Sequence, residues 1–95
     1  MTETTAEGAA APMSVLVRYF ASARAAAGTE EEKVRLPGGA TVADAVRLLR
    51  ELHPGGLSRI LDAASLLLNE VAVRDTGRTL CDSDRLDVLP PFAGG

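Results

Sequence analysis

Two segments near the ends of the chain have apolar residues at every second position, with a mixed set of residues between them, and this period of two is typical of a β-strand. The segments are 14–20 and 85–89. The side chains predicted to face the core are Val15, Val17, Tyr19, Leu86 and Val88. Phe20 and Leu89 fall on the opposite face of these strands. If the two strands are neighbours, the two side chains form an apolar spot outside the core.

A period close to 3.6 residues predicts one long helix in the middle of the chain. Thr41 and Asp44 have the spacing of a capping box at its start, and Pro54 with two following glycines ends it near His53. The predicted buried stripe is Val42, Ala45, Val46, Leu49 and Leu52. A short alanine-rich segment, 22–27, predicts a second, shorter helix.

The remaining segments complete an α+β pattern. Residues 31–36 are predicted to form a strand, and 57–64 one or two further helical turns. The apolar segments 66–68 and 71–73 flank Asn69-Glu70, which is compatible with a tight hairpin or with one bulged strand. The order therefore predicts a mixed sheet of four to five strands with one main helix on one face, and with the first and last strands adjacent in the middle.

The two ends of the chain differ from the predicted domain, 13–89. Residues 1–12 hold small and polar side chains and close with a proline, so we expect a disordered leader. Residues 90–95 begin with two prolines, which cannot donate to a strand ladder, and end in Gly94-Gly95. This tail is expected to be extended and flexible and to span up to roughly 20 Å, with the terminal carboxylate at its tip.

Composition and charge narrow the function classes. The chain is 46% hydrophobic and 24% charged with a formal net charge of −3, which fits a globular domain and provides no basic cluster for nucleic acid. No apolar run approaches the roughly 18 residues of a membrane span, and the N-terminus lacks the pattern of a signal peptide. Cys81 is the only cysteine, so an internal disulfide is impossible. Together these observations favour the cytoplasm.

No group of residues in the sequence suggests catalysis by side chains. His53 lacks a partner pattern for metal binding or catalysis, and Asp82 and Asp84 are explained by turn chemistry. Cys81 is interpreted as a small buried or half-buried filler, with a reactive thiol as the alternative. Lys33 is interpreted as ordinary surface. There is also no glycine-rich phosphate-binding loop followed by Lys and Ser/Thr.

Several segments resemble the ubiquitin-like sulfur-carrier family, most closely its members that are small subunits of molybdopterin synthase. The segments are 17–21 with Gly28, 36–42, 68–71, 80–86 and 89–95. The Pro-Pro-x-x-Gly-Gly ending is the most specific of them. Two features depart from the family pattern: Ser83 stands where the family usually has glycine, and the family does not need the leader.

The resemblance implies a β-grasp fold and a chemistry centred on the terminal carboxylate. A ubiquitin-activating-like adenylyltransferase would use ATP to adenylate Gly95, and sulfur would then replace AMP to give a thiocarboxylate. The chain itself would bind no cofactor and no metal, and would not be an enzyme alone. Catalytic groups would lie on a partner, the large subunit of molybdopterin synthase, in a heterotetramer.

The resemblance also implies a partner-binding surface. Its predicted members are Phe20, Ala72, Leu89, Pro90, Pro91, Phe92, Ala93 and Gly94.

Two alternatives for the function stay open at the level of sequence. The sulfur could go to cysteine, thiamine or a secondary metabolite, or the chain could be a ubiquitin-like modifier or binding module that attaches through Gly95 to a lysine.

Overall fold

A computed structural model describes residues 11–91 of the chain. Its elements are β1 (Met13–Tyr19), α1 (Ser22–Ala27), β2 (Glu31–Leu36), α2 (Val42–Leu52), α3 (Gly56–Leu61), β3 (Ser65–Leu68), β4 (Val71–Ala72) and β5 (Arg85–Leu89). The predicted order of strands and helices is therefore confirmed. The first strand lies one residue earlier than expected, so Phe20 follows β1 instead of ending it.

The strands form one mixed sheet in the order β2-β1-β5-β3-β4. The central pair, β1 and β5, is parallel, with Val17 opposite Leu86 and Tyr19 opposite Val88. The other three pairs are antiparallel. Helix α2 contributes buried side chains to the core on one face of this sheet, which is the predicted α+β, β-grasp architecture.

Within residues 11–91, the buried core is aliphatic apart from Met13 and Tyr19. All the predicted core residues of β1 and β5 are at most 1% exposed, and Tyr19 is the largest of them. Burying each such side chain contributes about 1.5–3 kcal/mol. The predicted stripe of α2 is correct except at Leu52, which is 50% exposed. Leu52 is the last residue of α2.

The start of α2 has the predicted capping box. The Thr41 hydroxyl accepts a hydrogen bond from the Asp44 backbone N–H at 3.2 Å, and Asp44 Oδ2 accepts one from the Thr41 N–H at 2.9 Å. These contacts, with the neighbouring Arg47, lower the pKa of Asp44. The box therefore satisfies N–H groups that would otherwise lack partners at the first turn of the helix.

The segment around Asn69 is a two-residue hairpin turn between β3 and β4, which decides between the two predicted arrangements. Asn69 and Glu70 have φ values of 50° and 72°, as a type I′ turn requires at both positions. The Asn69 side chain donates to Asp84 Oδ1 and accepts from the Arg85 N–H, both at 2.9 Å. These two bonds tie the hairpin to the start of β5.

The turn before β5 uses its acidic residues as hydrogen-bond acceptors, as predicted. Asp82 Oδ1 accepts from the Ser14 N–H at 2.7 Å, and Asp84 Oδ2 accepts from the N–H of the cysteine at position 81 at 2.8 Å. Ser83 has a φ of 71°, in the left-handed region that favours glycine. This explains why the family usually has glycine there.

The interpretation of Cys81 as a buried or half-buried filler is wrong, because its side chain is exposed. The preceding residue, Leu80, is 2% exposed and occupies the core position instead. Asp84 holds the backbone of Cys81 in the surface turn, so its side chain faces away from the core.

The described segment includes only a few residues of the two predicted ends. Of the predicted leader, only Ala11 and Pro12 are described, and both are exposed. Of the tail, Pro90 and Pro91 are described, after β5 has ended at Leu89 as predicted. Within residues 11–91, no helix combines the length and apolar character needed to cross a membrane.

Candidate functional site

The root of the C-terminal tail lies where the two central strands end together. The Phe20 N–H donates to the Val88 carbonyl at 3.2 Å, so the parallel pairing continues one residue past β1. This register puts Phe20 beside Leu89. Pro90 is half-buried and Pro91 is exposed. The predicted site residues Phe92, Ala93, Gly94 and Gly95 lie outside the described residues.

The sheet face opposite α2, called the outer face below, continues from the tail root across β3 and β4. Strand register and alternation put these side chains on it: Leu16, Arg18, Phe20, Leu67, Ala72, Arg85, Asp87 and Leu89. Four of them form an apolar group that we call the docking patch: Phe20, Leu67, Ala72 and Leu89. Ala72 is exposed, and the other three are half-buried.

Leu67 is a member of the docking patch that the sequence prediction missed. It pairs with Ala72 on one side and Asp87 on the other, so it must share their face. The run of three leucines in β3 shows no alternation, and therefore gave no sign of which one faces outward. Only the register of β3 against β5 could have identified it.

A partly buried ion pair lies next to the docking patch. Arg18 and Asp87 are opposite each other in the parallel pair β1–β5. Arg18 Nε donates to Asp87 Oδ1 at 2.8 Å and Nη2 donates to Oδ2 at 3.0 Å. Asp87 points outward, as predicted, yet its side chain is only 4% exposed, whereas that of Arg18 is 34% exposed. Such a two-pronged contact fixes both the position and the plane of the guanidinium.

The guanidinium of Arg18 also contacts the docking patch directly. Its Cζ atom lies 5.4 Å from the centroid of the Phe20 ring, within the range of a cation–π contact. The hydrogen bonds that Arg18 donates to Asp87 raise the pKa of Arg18, whose guanidinium is cationic in any case. The patch at the tail root therefore has an apolar part and a fixed positive charge beside it.

A second polar cluster lies on the core side of the sheet. Glu32 Oε2 accepts from the Tyr19 hydroxyl and contacts His53 Nε2 at 2.6 Å. The ring centroids of Tyr19 and His53 are 5.9 Å apart, edge to face. Burial and, secondarily, the Glu32 carboxylate raise the pKa of Tyr19. The cluster joins the end of α2 to the edge strand β2, which explains His53 structurally.

The described residues contain no arrangement suited to a metal ion. Within 11–91, no three histidine, cysteine or carboxylate side chains come together as metal ligands could. Lys33 is exposed on β2, as predicted. The candidate site among the described residues is therefore the docking patch together with the tail root.

Comparison with known proteins identifies the family. The profile of the ThiS family matches residues 17–95. The chain belongs to the ThiS family of ubiquitin-like sulfur carriers. The match covers every described strand and helix after the first residues of β1, and it extends to the last glycine.

Relatives of this ThiS-family chain include a sulfur carrier and a protein modifier. The molybdopterin synthase sulfur carrier subunit of Chlamydomonas reinhardtii is 32% identical over 84 residues, which are 87% of this chain and 100% of that protein. The crystal structure of SAMP1 from Haloferax volcanii is 31% identical with a TM-score of 0.76, covering 86% of this chain and 99% of that one. SAMP1 is a small archaeal modifier protein.

A third similar structure is a complex. It contains subunits 1 and 2 of the molybdopterin-converting factor from Helicobacter pylori. The matched chain is 25% identical with a TM-score of 0.67, covering 87% of this chain and all of that one. A ThiS-like fold of this size is therefore found both in a carrier subunit and in an archaeal modifier.

Proposed function

We propose that this ThiS-family protein is a sulfur carrier that cycles between a carboxylate and a thiocarboxylate at Gly95. The observation that carries the proposal is the family match, which continues through the tail to Gly95. The end of β5 at Leu89 supports it, because the two prolines that follow cannot donate to the strand ladder. The reacting group is then the chain terminus, and no side chain of this protein needs to act as acid or base.

The proposed chemistry needs an activating partner. A carboxylate is a poor electrophile, so its oxygen first attacks the α-phosphorus of ATP and releases pyrophosphate. The resulting acyl-adenylate has AMP as a good leaving group, which a sulfur nucleophile displaces to form the thiocarboxylate. Since this sequence has no phosphate-binding loop, the partner that supplies the ATP site is a ubiquitin-activating-like adenylyltransferase.

The destination that we propose for the sulfur is a pterin precursor in molybdenum cofactor biosynthesis. The 32% identity to a molybdopterin synthase sulfur carrier subunit supports this choice. The catalytic partner is then the large subunit of molybdopterin synthase, as in a complex of the two converting-factor subunits. In this assembly the docking patch of Phe20, Leu67, Ala72 and Leu89 holds the partner while the tail enters its active site.

The test is the mass of the protein after incubation with the adenylyltransferase, ATP and a sulfur donor. Exchange of one oxygen for sulfur adds about 16 Da, and we expect this gain at Gly95. Deleting Gly95, or adding one residue after it, should abolish the gain without changing the melting temperature. A misplacement of about 1 Å in such an active site can cost on the order of 100-fold in rate.

A control separates tail geometry from folding. The substitution Ala93→Ser alters the tail but keeps its length and its Gly-Gly end, so thiolation should continue. If the native tail is never modified, the carrier function is wrong. If the extended tail is thiolated at its new end, the requirement for Gly95 itself is wrong.

A second candidate function is a ubiquitin-like modifier, favoured by the similarity to SAMP1. In that case the activated Gly95 carboxylate forms an isopeptide bond with a lysine of another protein, with AMP as the leaving group. The product separates the two functions. Tryptic peptides carrying a remnant of the tail on lysine identify a modifier, whereas a carrier leaves a thiocarboxylate and thiolated small molecules.

A further inference from the structure

The outer face has a different charge balance from the chain as a whole. The strand register puts Lys33 and Arg35 of β2 on the same face as Arg18, and both are exposed. With Arg85, this face has four cations, against three nearby carboxylates: Glu31, Glu70 and Asp87. The chain overall is acidic, with a net charge of −3. These residues give the outer face a net charge of +1, whereas the chain as a whole is acidic.

Arg18 has donors to offer beyond those that it uses within the fold. A guanidinium has five N–H donors, and Asp87 accepts from two of them. The remaining three lie on a side chain that is 34% exposed. A protein that covers the docking patch also covers this edge of Arg18, because Arg18 contacts Phe20. Covered donors that lack acceptors would oppose binding.

We propose that Arg18 is a specificity-determining residue of the docking patch, and that the large synthase subunit places a carboxylate against the free edge of its guanidinium. This inference rests on the proposed function. Asp87 holds the guanidinium in one orientation before the partner arrives, so little side-chain freedom is lost on binding. A carboxylate fits better than a neutral oxygen because a charge-assisted, two-pronged contact is the strongest that arginine makes.

The ion pair of Arg18 and Asp87 would select binding partners in two ways. A partner with a purely apolar surface would fit Phe20 and Leu89 but would leave the Arg18 donors unpaired. A partner with a basic surface would be repelled by Arg18, Lys33 and Arg35. Discrimination among proteins of similar shape therefore comes from unfavourable contacts with the wrong ones as much as from favourable contacts with the right one.

The test compares dissociation constants for the large synthase subunit of the same organism, at low and at high salt. The double variant Arg18→Leu/Asp87→Leu replaces the ion pair by apolar side chains, which often leaves stability unchanged or higher. We expect it to melt within a few degrees of the parent but to bind at least tenfold more weakly, equivalent to about 1.4 kcal/mol. The parent's advantage, meaning the ratio of the double variant's dissociation constant to that of the parent, should be smaller at high salt, because salt screens the contact with the carboxylate.

Three further variants complete the design. The exchange Arg18→Asp/Asp87→Arg keeps an ion pair in the fold but moves the cation to β5, so binding should also weaken at least tenfold. Arg47→Leu removes an exposed arginine from α2, on the far side of the molecule, and should bind within about twofold of the parent. Phe20→Asp disrupts the docking patch itself and should bind more weakly than any of the others.

The inference is overturned if the double variant and the exchange variant both bind like the parent, or if the parent's advantage is the same at both salt concentrations. It is also overturned if Phe20→Asp binds normally, since the partner then does not cover this face. The proposed function fails separately, through the mass measurement at Gly95. A parent protein that gains the sulfur mass but binds without regard to Arg18 disproves this inference alone.

Discussion

Tyr19 is the residue at which core packing and polar contacts meet. It is 1% exposed, and its hydroxyl donates to Glu32, which also contacts His53. The pKa of Tyr19 is raised above its ordinary value of 10.0, first by burial and then by Glu32. The folded protein therefore keeps this tyrosine neutral at a pH where an unfolded chain releases the proton.

The first prediction is the pH dependence of the substitution Tyr19→Phe. At neutral pH we expect the free energy of unfolding to fall by about 1 kcal/mol, because a hydrogen bond to Glu32 is lost. The contribution of a raised pKa is complete below the unfolded value and declines as the pH rises above it. Above pH 10 the parent should therefore lose stability that the variant does not, by about 1.4 kcal/mol at pH 11.

Denaturant titrations at pH 7 and pH 11 measure this difference. Tyr19 is the only tyrosine and there is no tryptophan, so the absorbance of tyrosinate reports this residue alone. In the native parent at pH 11 the tyrosinate signal should appear only with unfolding. A tyrosine that ionises in the folded protein near pH 10 would show that the contact with Glu32 does not hold it neutral.

At the level of the elements, the junction between β1 and α1 is strained. Ala21, the residue before α1, has φ 51° and ψ −128°, a conformation that is ordinary only for glycine. Its neighbours explain why the strain persists. Phe20 continues the pairing with β5, and Ala23 two residues later is fully buried, so the chain must turn within one residue. The same turn directs Phe20 to the docking patch.

The second prediction is that Ala21→Gly stabilises the protein by about 1 kcal/mol. A non-glycine residue in such a conformation costs on the order of 1–3 kcal/mol, and the greater backbone freedom of glycine in the unfolded chain cancels only part of this gain. The melting temperature should rise by about 4–8 °C. Ala25→Gly is the matched control in α1 and should destabilise by about 1 kcal/mol. Equal losses for both variants would mean that Ala21 is not strained.

For the molecule as a whole, stability depends on the sheet that begins at Met13. Met13 is 6% exposed and pairs with Leu36 on the edge strand β2. Ala11 and Pro12 before it are exposed. The folded unit that we expect to be self-sufficient is therefore the predicted domain, 13–89, with the tail as a substrate for partner enzymes.

The third prediction concerns the leader. Deleting residues 1–12, with a methionine already present at position 13 to begin the shorter chain, should change the melting temperature by less than about 4 °C. The control deletion of residues 1–15 removes Met13 and Val15 from the core and should lower it by at least about 8 °C, if that chain folds at all. A fall of more than about 4 °C for the first deletion would show that the leader packs against the domain.

Where apolar side chains repeat with a clear period, the sequence alone determined which of them are buried. Val15, Val17, Leu86 and Val88 recur at every second position of their strands, so their burial followed from the strand period. The capping box at Thr41 is equally local, because its partners are three residues apart. The end of β5 at Leu89 was predictable for the same reason, since the following prolines act on the backbone where they stand.

The tertiary structure decided the features that depend on contacts between distant segments. Asp87 is buried because Arg18, 69 residues away in sequence, lies opposite it in the sheet. Leu67 belongs to the docking patch only because of its register against β5, and Cys81 is exposed because Leu80 takes the core position. A period along the chain shows which side chains share a face, but not which strands are neighbours. The order of the strands determines which side chains pair on the outer face and which of them are buried, and only the folded sheet provides that order.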